Sequence, residues 1–236
     1  MAEPGADGAP VHQRTIRSFV RRAGRLTPSQ SRALAELWPR FGIEPGAHPI
    51  DLNQHFGRSA PRTLEIGFGN GDNLAELAAR HPERDYLGVE VHDPGVGHLL
   101  LRMEREGLTN IRIARHDAVE VISSWLPPGS IDETLIFFPD PWHKKRHHKR
   151  RLVQPAFLEQ LARVMPPGGR LHLATDWAPY AEQMLQVCKA SPWFDNILAD
   201  GGYAARPATR PVTKFERRGL KLGHEVFDLL FERGHC

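Results

Sequence analysis

From Arg62 onward, short apolar runs alternate with segments of helical period. Thr63–Gly67, Asp85–Val91, Asn110–Arg115, Ile131–Phe138 and Arg170–Thr175 read as strands. Asn73–Arg80, Val96–Glu106, Ala118–Trp125, Pro155–Val164 and Pro179–Lys189 read as the helices between and after them. A weaker strand pattern near Phe194–Leu198 and another at Glu225–Phe231 close the chain. Apolar strands separated by helices predict an α/β fold, a doubly wound, mostly parallel sheet covered on both faces. Upstream, Thr27-Pro28-Ser29-Gln30 is a helix-start signal for a short helix over Ser31–Trp38. Phe41–Pro61, rich in Gly, Pro and His, predicts an irregular connection. The expected organisation is a disordered tail over 1–13, a basic arm and linker over 14–61, and one domain over 62–236.

The composition adds limits. With 236 residues, 40% hydrophobic and 25% charged, the chain has the makeup of a soluble globular protein with one ordinary core. No run is long enough to span a bilayer and no apolar signal region opens the chain, so the expectation is no membrane and a cytoplasmic location. Cys188 and Cys236 make no disulfide framework, which fits a reducing compartment. Thirteen histidines lack the Cys or carboxylate spacing of a zinc site, and His143, His147 and His148 sit among cations, so no metal is expected. The net charge is only +3, but it is unevenly placed, which is the stronger pointer to a polyanionic partner.

Glu65-Ile-Gly67-Phe-Gly69-Asn-Gly71 lies between the first predicted strand and its helix. Glycines there permit a sharp turn and close approach of a ligand to main-chain N–H groups. The bland alternative is a plain strand–helix turn. Glu90 ends the second strand, where a carboxylate can take the ribose hydroxyls of a nucleoside. The spacing is G-x-G-x-G, not the dinucleotide G-x-G-x-x-G, and Glu65 just upstream would repel a pyrophosphate. Asp117, after the third strand, adds another acid. Acids around one site favour the cationic S-adenosylmethionine over NAD.

The strand Ile131–Phe138 ends abruptly at Pro139-Asp140-Pro141-Trp142, and Lys144, Lys145, Arg146, Lys149, Arg150 and Arg151 follow with no acid among them. One reading is a carboxylate held stiffly by two prolines with a phosphate clamp attached. The other is a loop acid followed by a solvated basic face. Arg14, Arg17, Arg21 and Arg25 fall on one side of a helical wheel, either as an arm for phosphates or as a solvated segment. Asp176, ending the fifth strand, is either a ligand contact or an N-cap for the helix that Pro179 opens. Trp142 and Phe215 are candidates to stack on a base, or packing residues.

From about Arg14 to Arg233 the sequence resembles the bacterial tRNA (guanine-N7)-methyltransferases, the TrmB family. The motifs are I-R-S-F-V-R-R-A-G-R-L-T at Ile16–Thr27, L-E-I-G-F-G-N-G at Leu64–Gly71 and G-V-E-V-H-D-P-G-V-G at Gly88–Gly97. They continue with F-P-D-P-W-H-K-K-R-H-H-K-R-R at Phe138–Arg151, A-T-D-W at Ala174–Trp177 and T-K-F-E-R-R-G at Thr213–Gly219. The resemblance implies a Rossmann-like class I methyltransferase with a seven-stranded sheet, the last strand antiparallel and inserted beside the fifth. It also implies methyl transfer from S-adenosylmethionine to N7 of a guanine in the tRNA variable loop. By position, Glu65, Glu90, Asp117 and Asp140 correspond to cofactor-binding acids, with Gly67, Gly69 and Gly71 beside them. Asp140 is also the expected catalytic residue. Lys144, Asp176, Thr213, Lys214, Phe215 and Glu216 correspond to substrate contacts, and Arg146, His147, His148, Lys149, Arg150 and Arg151 to an RNA-binding segment. The partner expected is tRNA, bound by a monomer or weak homodimer.

The residues alone leave two other readings open: a methyltransferase acting on a different RNA base or a protein, and a basic RNA-binding protein without catalysis. Glu65, Glu90 and Asp117 argue against the latter, since acids lining a pocket bring nothing to a pure RNA binder.

Overall fold

The computed structural model describes residues 18–19, 24–44, 46, 49–208, 210–211, 216 and 225–235. Within them the sheet has eight strands: β1 (Gly42–Ile43), β2 (Arg62–Ile66), β3 (Asp85–Val89), β4 (Ile111–Ala114), β5 (Glu133–Phe137), β6 (Arg170–Thr175), β7 (Phe194–Asn196) and β8 (Phe227–Arg233). Their order is β1-β4-β3-β2-β5-β6-β8-β7. All pairs up to β6 are parallel, and β8 lies antiparallel between β6 and β7, with Arg170 opposite Glu232 and Thr175 opposite Phe227. The strand order reverses between β2 and β5, so a crevice opens there at the carboxyl edge, where doubly wound sheets hold their ligands.

Alternate side chains of each strand feed two core layers. On one face Leu64, Ile66, Ile136, Leu171 and Leu173 pack with Phe157, Leu158 and Leu161 of α7 (Pro155–Val164) and with Tyr180, Met184 and Cys188 of α8 (Ala178–Ala190). On the other, Tyr86, Ile111, Ile113, Leu135 and Phe137 pack with Leu74 and Leu77 of α4 (Asp72–Arg80) and with Val96, Leu99, Leu100 and Met103 of α5 (Asp93–Glu106). Burial on both faces explains why these strands read as continuous apolar runs instead of alternating ones. Cys188, inside the first layer, has its thiol pushed up to about 12 by burial.

The sheet thus has one strand more than the seven expected. The extra strand, β1, pairs with β4 through Gly42–Ile113 and Ile43–Ala114. It belongs to the stretch whose composition predicts an irregular connection, and that stretch also contains α3 (Leu52–Phe56), capped by Asp51 accepting from the Asn53 and Gln54 N–H groups. The start signal at Thr27 is a full capping box on α1 (Pro28–Glu36): Thr27 Oγ1 accepts from Gln30 N at 3.2 Å, and Gln30 Oε1 from Thr27 N at 2.9 Å. Gln30 also donates to the Pro94 carbonyl at 3.0 Å, and Arg32 pairs with Glu104 at 2.7 Å, which fixes α1 on α5. The described part of 14–61 is therefore built into the domain. The arginines Arg14, Arg17 and Arg21 of the arm lie outside the described residues.

Candidate active site

The glycine loop lies between β2 and α4. Gly67, Gly69 and Gly71 take φ of +72°, +58° and +77°, a region that favours residues without a Cβ. A Cβ on Gly67 or Gly69 would meet nothing within 4 Å, so the space beside these positions is open. Behind the loop there is no room at all: a Cβ on Gly95, in the first turn of α5, would lie 2.1 Å from the Gly69 carbonyl oxygen.

Acids from successive strand ends lie along the same carboxyl edge of the sheet. Glu65 is 4% exposed and accepts from Asn73 Nδ2 at 2.9 Å. Burial, helped by the Glu90 charge and opposed by the Asn73 hydrogen bond, pushes its carboxyl up to about 7. Glu90 is half-buried; one oxygen accepts from Gly69 N at 2.9 Å and the other from Val91 N at 2.7 Å and His92 N at 3.0 Å. Asp117 caps the short helix α6 (Ala118–Glu120) by accepting from Val119 N at 3.0 Å. Open backbone rimmed by carboxylates suits a nucleoside carrying positive charge and is a poor host for a pyrophosphate.

At the end of β5 the chain makes an unusual turn. Phe138 (φ +52°) and Trp142 (φ +46°) are the non-glycine residues with positive φ among the described residues, and they bracket Pro139-Asp140-Pro141. Such conformations cost about 1–3 kcal/mol each and persist only where the surroundings impose them. Here Phe138 N donates to the Ala174 carbonyl at 2.8 Å, Trp142 Nε1 to the Ser18 carbonyl at 3.0 Å, and Arg151 Nε to the Pro141 carbonyl at 2.8 Å. Asp140 itself is exposed at the top of this clamped turn.

The basic run forms a 3-10 helix over Lys145–Arg150 that buries no residue. Lys144, Lys145, Arg146 and Lys149 are exposed. Arg150 lies over the Trp142 ring at 4.0 Å and donates to the Phe19 carbonyl at 3.3 Å. His147 packs edge-on to Trp142, and burial together with Arg146, Arg150, Lys144 and Lys149 holds its imidazole below the usual range. His148 is half-buried against Arg151, with 3.1 Å between Nε2 and Nη2. Arg151 departs from the expectation. It is 3% exposed and turned inward, so the solvent-facing cations stop at Arg150.

Asp176, exposed after β6, is not at the cap position of α8: that place is held by Trp177, whose side chain makes no cap bond. Trp177 is partly exposed and meets His143 edge-on at 4.3 Å, bringing the Asp140 and Asp176 turns side by side. Thr213, Lys214 and Phe215 lie outside the described residues. Glu216 is described, and its place corrects the expectation of a carboxylate presented to substrate: it is 4% exposed and engaged by Arg210 at 2.6 and 2.9 Å. Arg210 also donates to Asp228 on β8 at 2.7 and 2.9 Å, and Asp228 lies 2.7 Å from His172 Nε2 on β6.

A family model described as "Putative methyltransferase" matches residues 59–229. The chain is 58% identical over 98% of its own length and 98% of the other to a tRNA (guanine-N(7)-)-methyltransferase of Alkalilimnicola ehrlichii. It is likewise 58% identical to the protein of that name from Burkholderia vietnamiensis, over 99% of this chain and 92% of the other. The chain belongs to the tRNA (guanine-N(7)-)-methyltransferase family. Among solved structures it is similar to the 16S rRNA methyltransferase KamB (TM-score 0.57, 16% identity, 83% of this chain, 99% of that one). It is similar too to the antibiotic-resistance methyltransferase Kmr (TM-score 0.56, 19% identity, 79% and 92%), and both show the class I methyltransferase fold.

Within this methyltransferase, the contacts of three further residues belong to the site and are not predicted by the sequence pattern. Asn73 sits under Glu65, Gly95 under Gly69, and Arg210 bridges Glu216 and Asp228. The first two lie close to motifs already visible, and G-V-E-V-H-D-P-G-V-G contains Gly95. Arg210 gives no local signal, because its partners are 6 and 18 residues away. Among the described residues, no helix is long and apolar enough to cross a membrane, and no group of three or more His, Cys, Asp or Glu is placed to hold a metal ion.

Proposed function

We propose that this chain methylates N7 of a guanine in the variable loop of tRNA, using S-adenosylmethionine. The observation that carries the reading is the position of Asp140: a carboxylate on a clamped turn, with the acids of the cofactor edge on one side and an exposed cationic helix on the other. Glu65, Glu90 and Asp117 suit the cofactor, with Gly67, Gly69 and Gly71 leaving its backbone path open. When bound, it supplies an electrophilic methyl group.

The N7 atom of guanine carries an in-plane lone pair and needs no deprotonation before attack, so a general base has no task here. What remains for the protein is alignment and charge. Asp140 accepts from an N–H of the guanine base, which orients N7, and its negative charge lies near the cation that develops on the purine. Asp176, with Thr213, Lys214 and Phe215, completes the substrate side. Lys144, Lys145, Arg146 and Lys149 take phosphates and position the tRNA without reading its sequence. The chain itself carries all of these groups, so a monomer or weak homodimer in the cytoplasm suffices.

The test is incubation of purified protein with methyl-labelled S-adenosylmethionine and bulk tRNA, followed by nucleoside analysis. Label in 7-methylguanosine, mapped to the variable loop, supports the reading. Label in another base, or in protein, overturns it.

A further inference from the structure

Arg151 closes the basic run, yet its guanidinium is turned into the protein. It is 3% exposed and stacks over the Tyr180 ring at 4.8 Å. Its Nε donates to the Pro141 carbonyl at 2.8 Å, one residue past Asp140. Its Nη1 donates to Gln183 Oε1 at 2.5 Å and to the Pro179 carbonyl at 3.4 Å, both on α8, the helix that follows Asp176. One planar fork thus ties the turn carrying Asp140 to the helix following Asp176. A lysine has the charge but not the fork, and cannot span these acceptors with fixed geometry.

We infer that Arg151 is a positioning residue that holds the Asp140 turn in register with Asp176, and not a phosphate contact. The turn needs such a hold, because Phe138 and Trp142 are both in the left-handed region and would relax if released. Misplacing an aligned group by about 1 Å costs on the order of a hundredfold in rate. This inference rests on the reading that Asp140 aligns the guanine.

The experiment compares Arg151→Lys with Lys149→Ala, and uses Gln183→Ala as a gentler second variant that removes one acceptor of the fork. At saturating cofactor and tRNA, Arg151→Lys is expected to lower the single-turnover rate roughly ten- to a hundredfold. The tRNA affinity and its salt slope should stay at wild-type values, whereas Lys149→Ala should make the slope shallower. In the free protein, the Trp142 indole N–H, bonded to the Ser18 carbonyl, should exchange with solvent faster in Arg151→Lys and Gln183→Ala. Combined with Asp140→Ala, Arg151→Lys should add little further loss, since both act through one group. A wild-type rate in Arg151→Lys, additive losses in the double variant, or a shallower salt slope would overturn the inference. If Asp140→Ala alone proved silent, the reading of Asp140 would fail first, which is a separate result.

Discussion

The Glu90 carboxylate accepts a 2.9 Å hydrogen bond from the Gly69 N–H, so the end of β3 and the glycine loop after β2 are tied together at the carboxyl edge of the sheet. The same oxygens that suit ribose hydroxyls also shape the loop beneath them. Glu90→Ala should therefore weaken S-adenosylmethionine binding by about 1–3 kcal/mol, roughly five- to 150-fold. Binding of tRNA should be nearly unchanged. Calorimetry returning wild-type cofactor affinity would contradict this placement of Glu90.

Glu65 should make cofactor binding sensitive to pH. Its folded carboxyl keeps a proton up to about 7 against an ordinary 4.5, chiefly through burial. Between those values the folded chain binds more protons than the unfolded one, so this group's contribution to stability declines as pH rises from 4.5 to about 7. A cation bound beside Glu65 favours the carboxylate and expels the proton. Affinity for S-adenosylmethionine should tighten from about pH 6 to about pH 8, with proton release seen as a dependence of binding heat on buffer ionisation enthalpy. Glu65→Gln should abolish the release. Heats independent of buffer in the wild type would contradict the assignment.

Electrostatic attraction to RNA should come from side chains that face solvent. Replacing Lys144, Lys145, Arg146 and Lys149 together by Ala should flatten the slope of log affinity against log salt by about 0.7–0.9 for each phosphate no longer neutralised. The weakening should be similar for different tRNAs, because phosphate pairing positions without specifying. An unchanged slope would make the 3-10 helix a solvated face and nothing more.

How far the sequence speaks depends on how local the cause is. The strands β2 to β6 and the helices between them are legible because burial on both faces leaves unbroken apolar runs, and the Thr27 capping box announces α1. The two-residue β1 is invisible, since so short a strand exists only through its pairing with β4. By contrast α3 had its marks: Asp51 as N-cap and Gly57 in the left-handed region at its end. The acids of the site fall at strand ends, where a chain-order reading finds them. What it misses is direction. Nothing in Lys149-Arg150-Arg151 says that the last arginine turns inward, except that Leu152-Val153 begins the next buried stretch. Nor does the spacing reveal that Glu216 pairs with Arg210.

Asp140 is proposed to act on the transition state by aligning guanine and following its charge. The most direct measurement is the single-turnover methylation rate of Asp140→Ala with S-adenosylmethionine and tRNA both saturating. The rate should fall about a hundredfold or more, in keeping with removal of one preorganised electrostatic partner, while tRNA remains bound. Recovery of the full wild-type rate at saturating cofactor would contradict the claim and leave Asp140 a cofactor-binding acid alone.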